Sequence, residues 1–79
     1  MRVTFYPEDD AVYFKLSEAK FSYGKDLDDK THLNYSVDDE VIGVEFLSIG
    51  QGVDLSGIPK KVQIIINPIL EERGVKVYA

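Results

Sequence analysis

The sequence predicts an α+β fold: a five-stranded antiparallel β-meander with one C-terminal helical segment packed on its apolar face, and a short terminal strand. Three observations lead to this prediction. Before residue 48, apolar and polar residues alternate with the period of two that is typical of strands with one buried face. Short runs of turn residues separate these segments, which favours antiparallel neighbours. After residue 58, apolar residues recur at intervals of three and four, as on one face of a helix.

The first hairpin is the element around which the chain is organised. Val3 and Phe5 alternate with polar residues before a turn at Pro7, whose missing N–H and fixed φ suit a turn better than a strand. Alternation resumes after the turn, with three apolar residues on one face: Val12, Phe14 and Leu16.

Three more strands follow the first hairpin. The third begins at Phe21, with Gly24 as a candidate β-bulge, and the fourth alternates around Leu33. The fifth, residues 41–47, is apolar on both faces, as is usual for a strand inside a sheet. We expect the strands in the order 1-2-3-4-5. We also expect the helix to cover a face lined by Phe5, Phe14, Leu33, Tyr35, Val44 and Phe46.

The last third of the chain is predicted as a loop at 48–58, a helical segment at 59–73 and a strand at 75–78. Pro68 removes a helical hydrogen bond, and the isoleucines at 64–66 prefer strand, so we expect the helix to be kinked or broken at Asn67. The terminal strand is expected to pair at an edge of the sheet. Residues 1–79 therefore form a single small domain, with the meander at 1–47.

Composition restricts the location and the partners. The 79 residues include no cysteine, which favours a reducing compartment and predicts a cytoplasmic protein. No apolar run approaches the roughly 20 residues that a membrane span needs. The net charge is −5 and the basic residues are scattered, so we expect neither nucleic-acid binding nor membrane binding.

Three segments carry a resemblance to a known family: residues 7–16 (PEDDAVYFKL), 27–29 (LDD) and 41–47 (VIGVEFL). They resemble the YuzE-like family of short prokaryotic proteins, classed as a domain of unknown function. The resemblance covers about residues 2–47, and the tail is similar to extended members. Phe5-Tyr6 departs from the family's usual Tyr-Asp before the proline. The resemblance implies a β-meander with a helix, and it implies no activity.

Carboxylates are the first candidates for a functional site. As a set, Asp10, Asp28 and Glu45 could serve acid–base chemistry or hold a divalent cation. The alternative is structural: Asp10 bonds backbone N–H groups of its own turn, and Glu45 lies on the wetter face of the fifth strand. His32 has no triad or ligand set beside it in the sequence, so we expect a surface strand residue. We predict no catalytic residues, no metal and no cofactor.

Acidic turns form a second candidate feature. In a meander, alternate turns fall at one end of the sheet, so Glu8–Asp10, Asp26–Asp29 and Asp54 should share an end. Asp29 belongs to this set. The turns would lie about 10 Å apart, at two strand spacings. Solvated turn residues are the alternative interpretation.

Unpaired apolar residues predict that the protein is not a monomer. Tyr13, Val41 and Leu47 should lie on the sheet face away from the helix, beside Gly43, whose missing side chain allows close approach. Such a patch favours a two-fold homodimer, or a site for a different protein. Scattered surface hydrophobes are the alternative.

These observations favour a non-enzymatic protein-binding module over an enzyme. The small size, the negative charge and the missing catalytic constellation suit the acidic partner of a basic protein, as antitoxins are to toxins. The rival is a small enzyme or a divalent-cation-binding protein that uses Asp10, Asp28 and Glu45.

Overall fold

The computed structural model describes residues 1–78, and it confirms the α+β fold with a five-stranded antiparallel sheet and one C-terminal helix. Short 3₁₀ turns lie at Pro7–Asp9 and Ile49–Gln51. No helix in the described part of the chain has the length and apolar character that a bilayer span requires. The strands are β1 (Arg2–Tyr6), β2 (Ala11–Lys15), β3 (Phe21–Asp26), β4 (Thr31–Ser36), β5 (Val41–Phe46), β6 (Val53–Asp54) and β7 (Val77–Tyr78), and the helix is α1 (Lys60–Glu72).

The order of the strands in the sheet is β1-β2-β5-β4-β3, so the predicted order 1-2-3-4-5 is wrong. β5 is inserted between β2 and β4, where four of its six residues are buried. All six residues of β3 are exposed, and this strand forms an edge. The hydrophobic effect explains this strand order, because the most apolar strand, β5, is buried at the centre of the sheet and the polar strand, β3, lies at its edge.

The core lies between the sheet and α1. Phe14 and Phe46 meet edge to face, with ring centroids 6.1 Å apart. The predicted apolar face is confirmed: Phe14, Leu33, Val44 and Phe46 are buried, and Phe5 and Tyr35 pack against them while partly exposed. The helix contributes the buried residues Val62, Ile66 and Leu70.

A β-bulge in β5 changes the side on which Val41 lies. Leu33 pairs with Val44 and Asn34 with Gly43, but Tyr35 then pairs with Val41, so Ile42 is the extra residue. Val41 consequently packs against the core. The expectation that Val41 lies on the opposite face is wrong, because strict alternation does not survive a bulge.

Helix α1 continues through Pro68 without interruption, so the predicted alternative of a break at Asn67 is wrong. The proline leaves the carbonyl of Ile64 without its usual donor, but Ile64 lies on the exposed side of the helix, where solvent can reach it. Ile66 and Leu70, on either side of the proline, are fully buried and hold both turns against the sheet. Tertiary packing therefore overrides the local preference.

The terminal strand β7 does not pair at an edge of the large sheet, contrary to the prediction. It runs parallel to β6, which lies in the segment predicted as loop, and the pair forms a separate two-stranded sheet. Val53 and Leu55 bury their side chains in the core. Their backbone N–H groups donate to Lys76 O at 2.8 Å and Tyr78 O at 2.9 Å. The C-terminal segment thus supplies the hydrogen-bond acceptors for a segment whose side chains are buried in the core.

Candidate functional site

The sheet face opposite α1, which we call the open face, carries a continuous row of polar side chains. The strand registers place these residues side by side across all five strands. All but the last, which is exposed, are half-buried. In spatial order the row consists of Thr4, Tyr13, Glu45, His32 and Asp26.

Hydrogen bonds connect side chains of the open face across four strands. Asp26 Oδ1 lies 2.6 Å from His32 Nδ1, and His32 Nε2 lies 3.0 Å from Asn34 Oδ1. Asn34 Nδ2 then donates to Tyr13 Oη at 3.2 Å, reaching over β5. The chain Asp26–His32–Asn34–Tyr13 thus links edge strand β3 to β2 and fixes the orientation of each side chain in it.

Two glycines make room for the aromatic rings of this chain. A Cβ atom built on Gly43 would overlap the Tyr13 hydroxyl and would lie 2.9 Å from Cζ of the ring. A Cβ atom on Gly24 would lie 2.7 Å from His32 Nε2. Both rings therefore lie across a neighbouring strand at positions that carry no side chain.

The surroundings of His32 favour its charged form. The hydrogen bond to Asp26 raises the pKa of His32 above its ordinary value of 6.5, partial burial opposes this, and the contact with Asn34 adds to the rise. Both ring nitrogens face acceptor oxygens in the observed orientation of Asn34, and only an imidazolium donates from both nitrogens. The hydrogen bonds from His32 to Asp26 and Asn34 therefore both form when the ring is protonated on its two nitrogens.

Asp10 has a structural role that differs in detail from the predicted one. Its carboxylate oxygens accept from the N–H of Gly50 at 3.0 and 3.1 Å, and its own carbonyl accepts from Ile49 N at 3.0 Å. These bonds reach the segment after β5 instead of the turn of Asp10 itself. Asp10 also adopts a left-handed backbone with φ of 51°, which aspartate tolerates better than most residues.

The other predicted carboxylates lie near the row but do not meet Asp10. Asp28 and Asp29 line a surface groove of about 280 Å³ together with Asp26, His32 and Glu45. The Asp28 carboxylate also accepts from Lys30 N at 2.8 Å, as a turn residue does. Among residues 1–78, no group of three or more His, Cys, Asp or Glu side chains lies close enough to hold a metal ion. The candidate cation set of Asp10, Asp28 and Glu45 is therefore not assembled.

The acidic loops share one end of the sheet, although the strand order behind that expectation is wrong. The registers place the β1–β2 turn, the β3–β4 turn and the exit from β5 together, because every strand keeps the direction it has in a meander. Insertion of β5 separates the two turns by three strand spacings, about 14 Å instead of 10 Å. Asp54 reaches this end, where it lines a groove with Asp28 and Asp29.

The predicted second apolar surface, made of Tyr13, Val41 and Leu47, does not form. Val41 packs against the core, and Tyr13 is half-buried over Gly43 within the hydrogen-bonded chain. Leu47 remains, with 40% of its surface exposed, beside Asp28 and Lys30 at the acidic end. The open face is therefore polar where the sequence predicted an apolar patch.

Sequence reasoning missed the hydrogen-bonded chain for a specific reason. Asp26 and His32 are opposite each other in the β3–β4 hairpin, and Asn34 lies two residues after His32 on the same face. The register of this hairpin is therefore sufficient to predict that the three residues are neighbours. The contact between Tyr13 and Asn34 requires β2 and β4 to flank β5, and no local pattern indicates this pairing.

Comparison with known protein families gives a match over more than half of the chain. A family model described as "Protein of unknown function (DUF2283)" matches residues 2–49, which include the whole five-stranded sheet. Neither the curated proteins nor the solved structures include a significant match.

Proposed function

The chain belongs to the DUF2283 family of proteins of unknown function, and we propose that it is a non-enzymatic protein-binding module whose open face receives a basic protein. One observation carries this proposal. Side chains of the open face are already held in place by the hydrogen-bonded chain Asp26–His32–Asn34–Tyr13. A surface fixed before binding loses less side-chain entropy when a partner docks, which raises affinity.

Charge complementarity indicates a basic partner. The groove at the acidic end of the open face combines four carboxylates with Lys30 and His32, and the whole chain carries a net charge of −5. Arginine and lysine side chains of a partner would pair with these carboxylates and speed the encounter. The four carboxylates are Asp26, Asp28, Asp29 and Glu45.

The geometry of His32 supports binding over catalysis. A general base needs a nitrogen lone pair directed at a substrate, and both ring nitrogens of His32 are engaged by neighbouring side chains. The rival proposal of a carboxylate enzyme or cation site loses support because Asp10 is bonded to the Gly50 backbone, away from Asp28 and Glu45.

Three narrower proposals accompany this function. This acidic chain is the antitoxin-like member of the pair, meaning that it binds a basic protein stoichiometrically. The resemblance of residues 7–16 and 41–47 supports a YuzE-like subgroup within the wider family. The absence of cysteine supports a cytoplasmic location.

Affinity purification from the native host tests the proposal with a matched pair of variants. The open-face variant is Asp26→Lys/Glu45→Lys, and the control is Asp38→Lys/Glu40→Lys, which makes the same charge change in the exposed β4–β5 turn at the other end of the sheet. We expect the unmodified protein and the control to retain one stoichiometric basic partner and the open-face variant to lose it.

Two results would contradict the proposal. One is a partner that the open-face variant retains as well as the control does. The other is micromolar binding of Mg²⁺ or Ca²⁺ by the isolated protein in calorimetry, lost on Asp28→Asn, which would favour the rival cation-binding function.

A further inference from the structure

The outer face of α1 is an apolar stripe between two pairs of opposite charge. Ile64 and Ile65 are 67% and 47% exposed, and Pro68 is exposed beside them. Two lysines precede this stripe and two glutamates follow it, and all four are exposed: Lys60, Lys61, Glu71 and Glu72.

These charges are arranged against the dipole of the helix that carries them. The first turn has no acidic residue and the last turn has no basic one. Lysines at the N-terminus and glutamates at the C-terminus are both placed next to backbone charge of the same sign. Among the described residues, none of the four side chains forms an ion pair. Arg73 follows the glutamates at the C-terminal end of the helix, but its guanidinium lies 3.8 Å from the centre of the Phe5 ring and, among the described residues, forms no ion pair with them.

An antiparallel copy of the same helix would compensate for all of it. With a two-fold axis on the outer side of the helix, at the level of Ile66, Lys60 lies at the level of Glu72 of the second copy, Lys61 at that of Glu71, and Ile64 at that of Pro68. The pattern is self-complementary because each lysine and its opposing glutamate are equally distant from Ile66. Opposed antiparallel dipoles also attract each other.

We propose that the outer face of α1 is a homodimerisation surface that binds a second copy of this chain in an antiparallel, two-fold arrangement. The contact is isologous, as closed dimers require. The helix covers the opposite side of the sheet from the open face, so the dimer presents two open faces outward and leaves both available to a partner. This proposal stands independently of the proposed binding function.

The size of the surface sets the expected affinity. Thirteen helical residues span about 20 Å, which places the contact in the small interface class below about 1,200 Å². Interfaces of that class are weak and exchange rapidly. We therefore expect a dissociation constant on the order of 100 μM, and weaker association at high salt.

Sedimentation velocity at low salt tests the proposal with two charge-reversed variants. The protein concentrations, from about 10 μM to about 1 mM, bracket the expected dissociation constant. Lys60→Glu/Lys61→Glu makes the stripe acidic at both ends, and Glu71→Lys/Glu72→Lys makes it basic at both ends. We expect each variant alone to associate at least about tenfold more weakly than the unmodified protein. An equimolar mixture should recover association, because every opposed pair is then of opposite charge. Circular dichroism checks that both variants fold.

Lys20→Glu/Lys25→Glu is the matched control for the lysine variant, since it makes the same change in net charge at exposed positions outside the helix. It should associate as the unmodified protein does. A monomer at 1 mM, dimerisation by either variant alone at unchanged strength, or no association of the mixture would each overturn the proposal. Loss of association in the control alone would overturn it as well, by placing the contact at edge strand β3.

Discussion

Replacing Gly43 with alanine tests whether the open face is a fixed structure or a set of independent surface side chains. The new Cβ atom would overlap the Tyr13 hydroxyl and lie 2.9 Å from Cζ, so Cζ must move at least about 0.5 Å to reach an ordinary contact of 3.4 Å. That displacement breaks the hydrogen bond between Asn34 and Tyr13. Gly43 has no positive φ, so alanine is compatible with the backbone itself.

The expected change in stability is a difference between two opposing effects. Loss of one neutral hydrogen bond costs roughly 0.5–1.5 kcal/mol, and moving the half-buried Tyr13 ring out of its packed position costs roughly another 1 kcal/mol. Alanine in a strand gains roughly 0.5–1 kcal/mol over glycine. We therefore expect Gly43→Ala to lower the free energy of unfolding by about 1 kcal/mol in the unmodified protein.

Removing Tyr13 reverses the sign of the expected effect. In a Tyr13→Ala background no ring lies over Gly43, so Gly43→Ala should raise the free energy of unfolding by roughly 0.5–1 kcal/mol. Urea denaturation of the four proteins in this double-mutant cycle gives the coupling between the two positions. Equal destabilisation by Gly43→Ala in both backgrounds would refute the role assigned to Gly43.

Three other changes test the rest of the structure. Because Asp26 raises the pKa of His32 in the folded state, the pair stabilises the fold at pH values below about 6.5, and this contribution disappears as pH rises through the folded-state pKa. Asp26→Asn should therefore cost about 0.2–1 kcal/mol at pH 5.5 and nothing measurable at pH 8.5, as urea denaturation at the two values will show. Asp10→Ala should cost about 1–2 kcal/mol by removing the acceptor for Gly50 N and straining the left-handed backbone, whereas Asp10→Asn should cost less; equal losses in thermal unfolding would contradict this. Phe14→Ala should cost about 3–5 kcal/mol and leave little folded protein by circular dichroism, since the ring is fully buried against Phe46.

Local patterns in the sequence were sufficient to locate the strands and the helix but not to arrange them. Alternation identifies the core positions of each strand because side chains of a strand point to opposite faces. Alternation fails at Val41, where a bulge inserts an extra residue. The preference of proline for the end of a helix fails at Pro68, where packing of Ile66 and Leu70 holds the helix together. Alternation also left residues 53–54 as loop, since a two-residue strand has no period to detect.

The candidate site was partly predictable for the same physical reason. Glu45 lies on the solvent-facing side of β5, as alternation indicates, and the Asp26–His32 pair follows from the register of one hairpin. Tyr13 was assigned to an apolar patch because its polar partner Asn34 belongs to a strand that is distant in sequence. A hydroxyl group that finds a partner across an intervening strand leaves no signal in either segment alone.

The sheet is best understood as two locally connected units joined along one seam. β1 and β2 form a hairpin, and β3, β4 and β5 form a three-stranded meander, each held by pairing between consecutive strands. The seam is the pairing of β2 with β5, between residues about thirty positions apart, and it is the part of the topology that short-range patterns cannot specify. Both faces of the sheet are tied across this seam, by Phe14 against Phe46 on the core side and by Tyr13 with Asn34 on the open face. The open face therefore exists as a continuous surface only once the two units have joined, because the strand between Tyr13 and Asn34 is the one that carries Gly43.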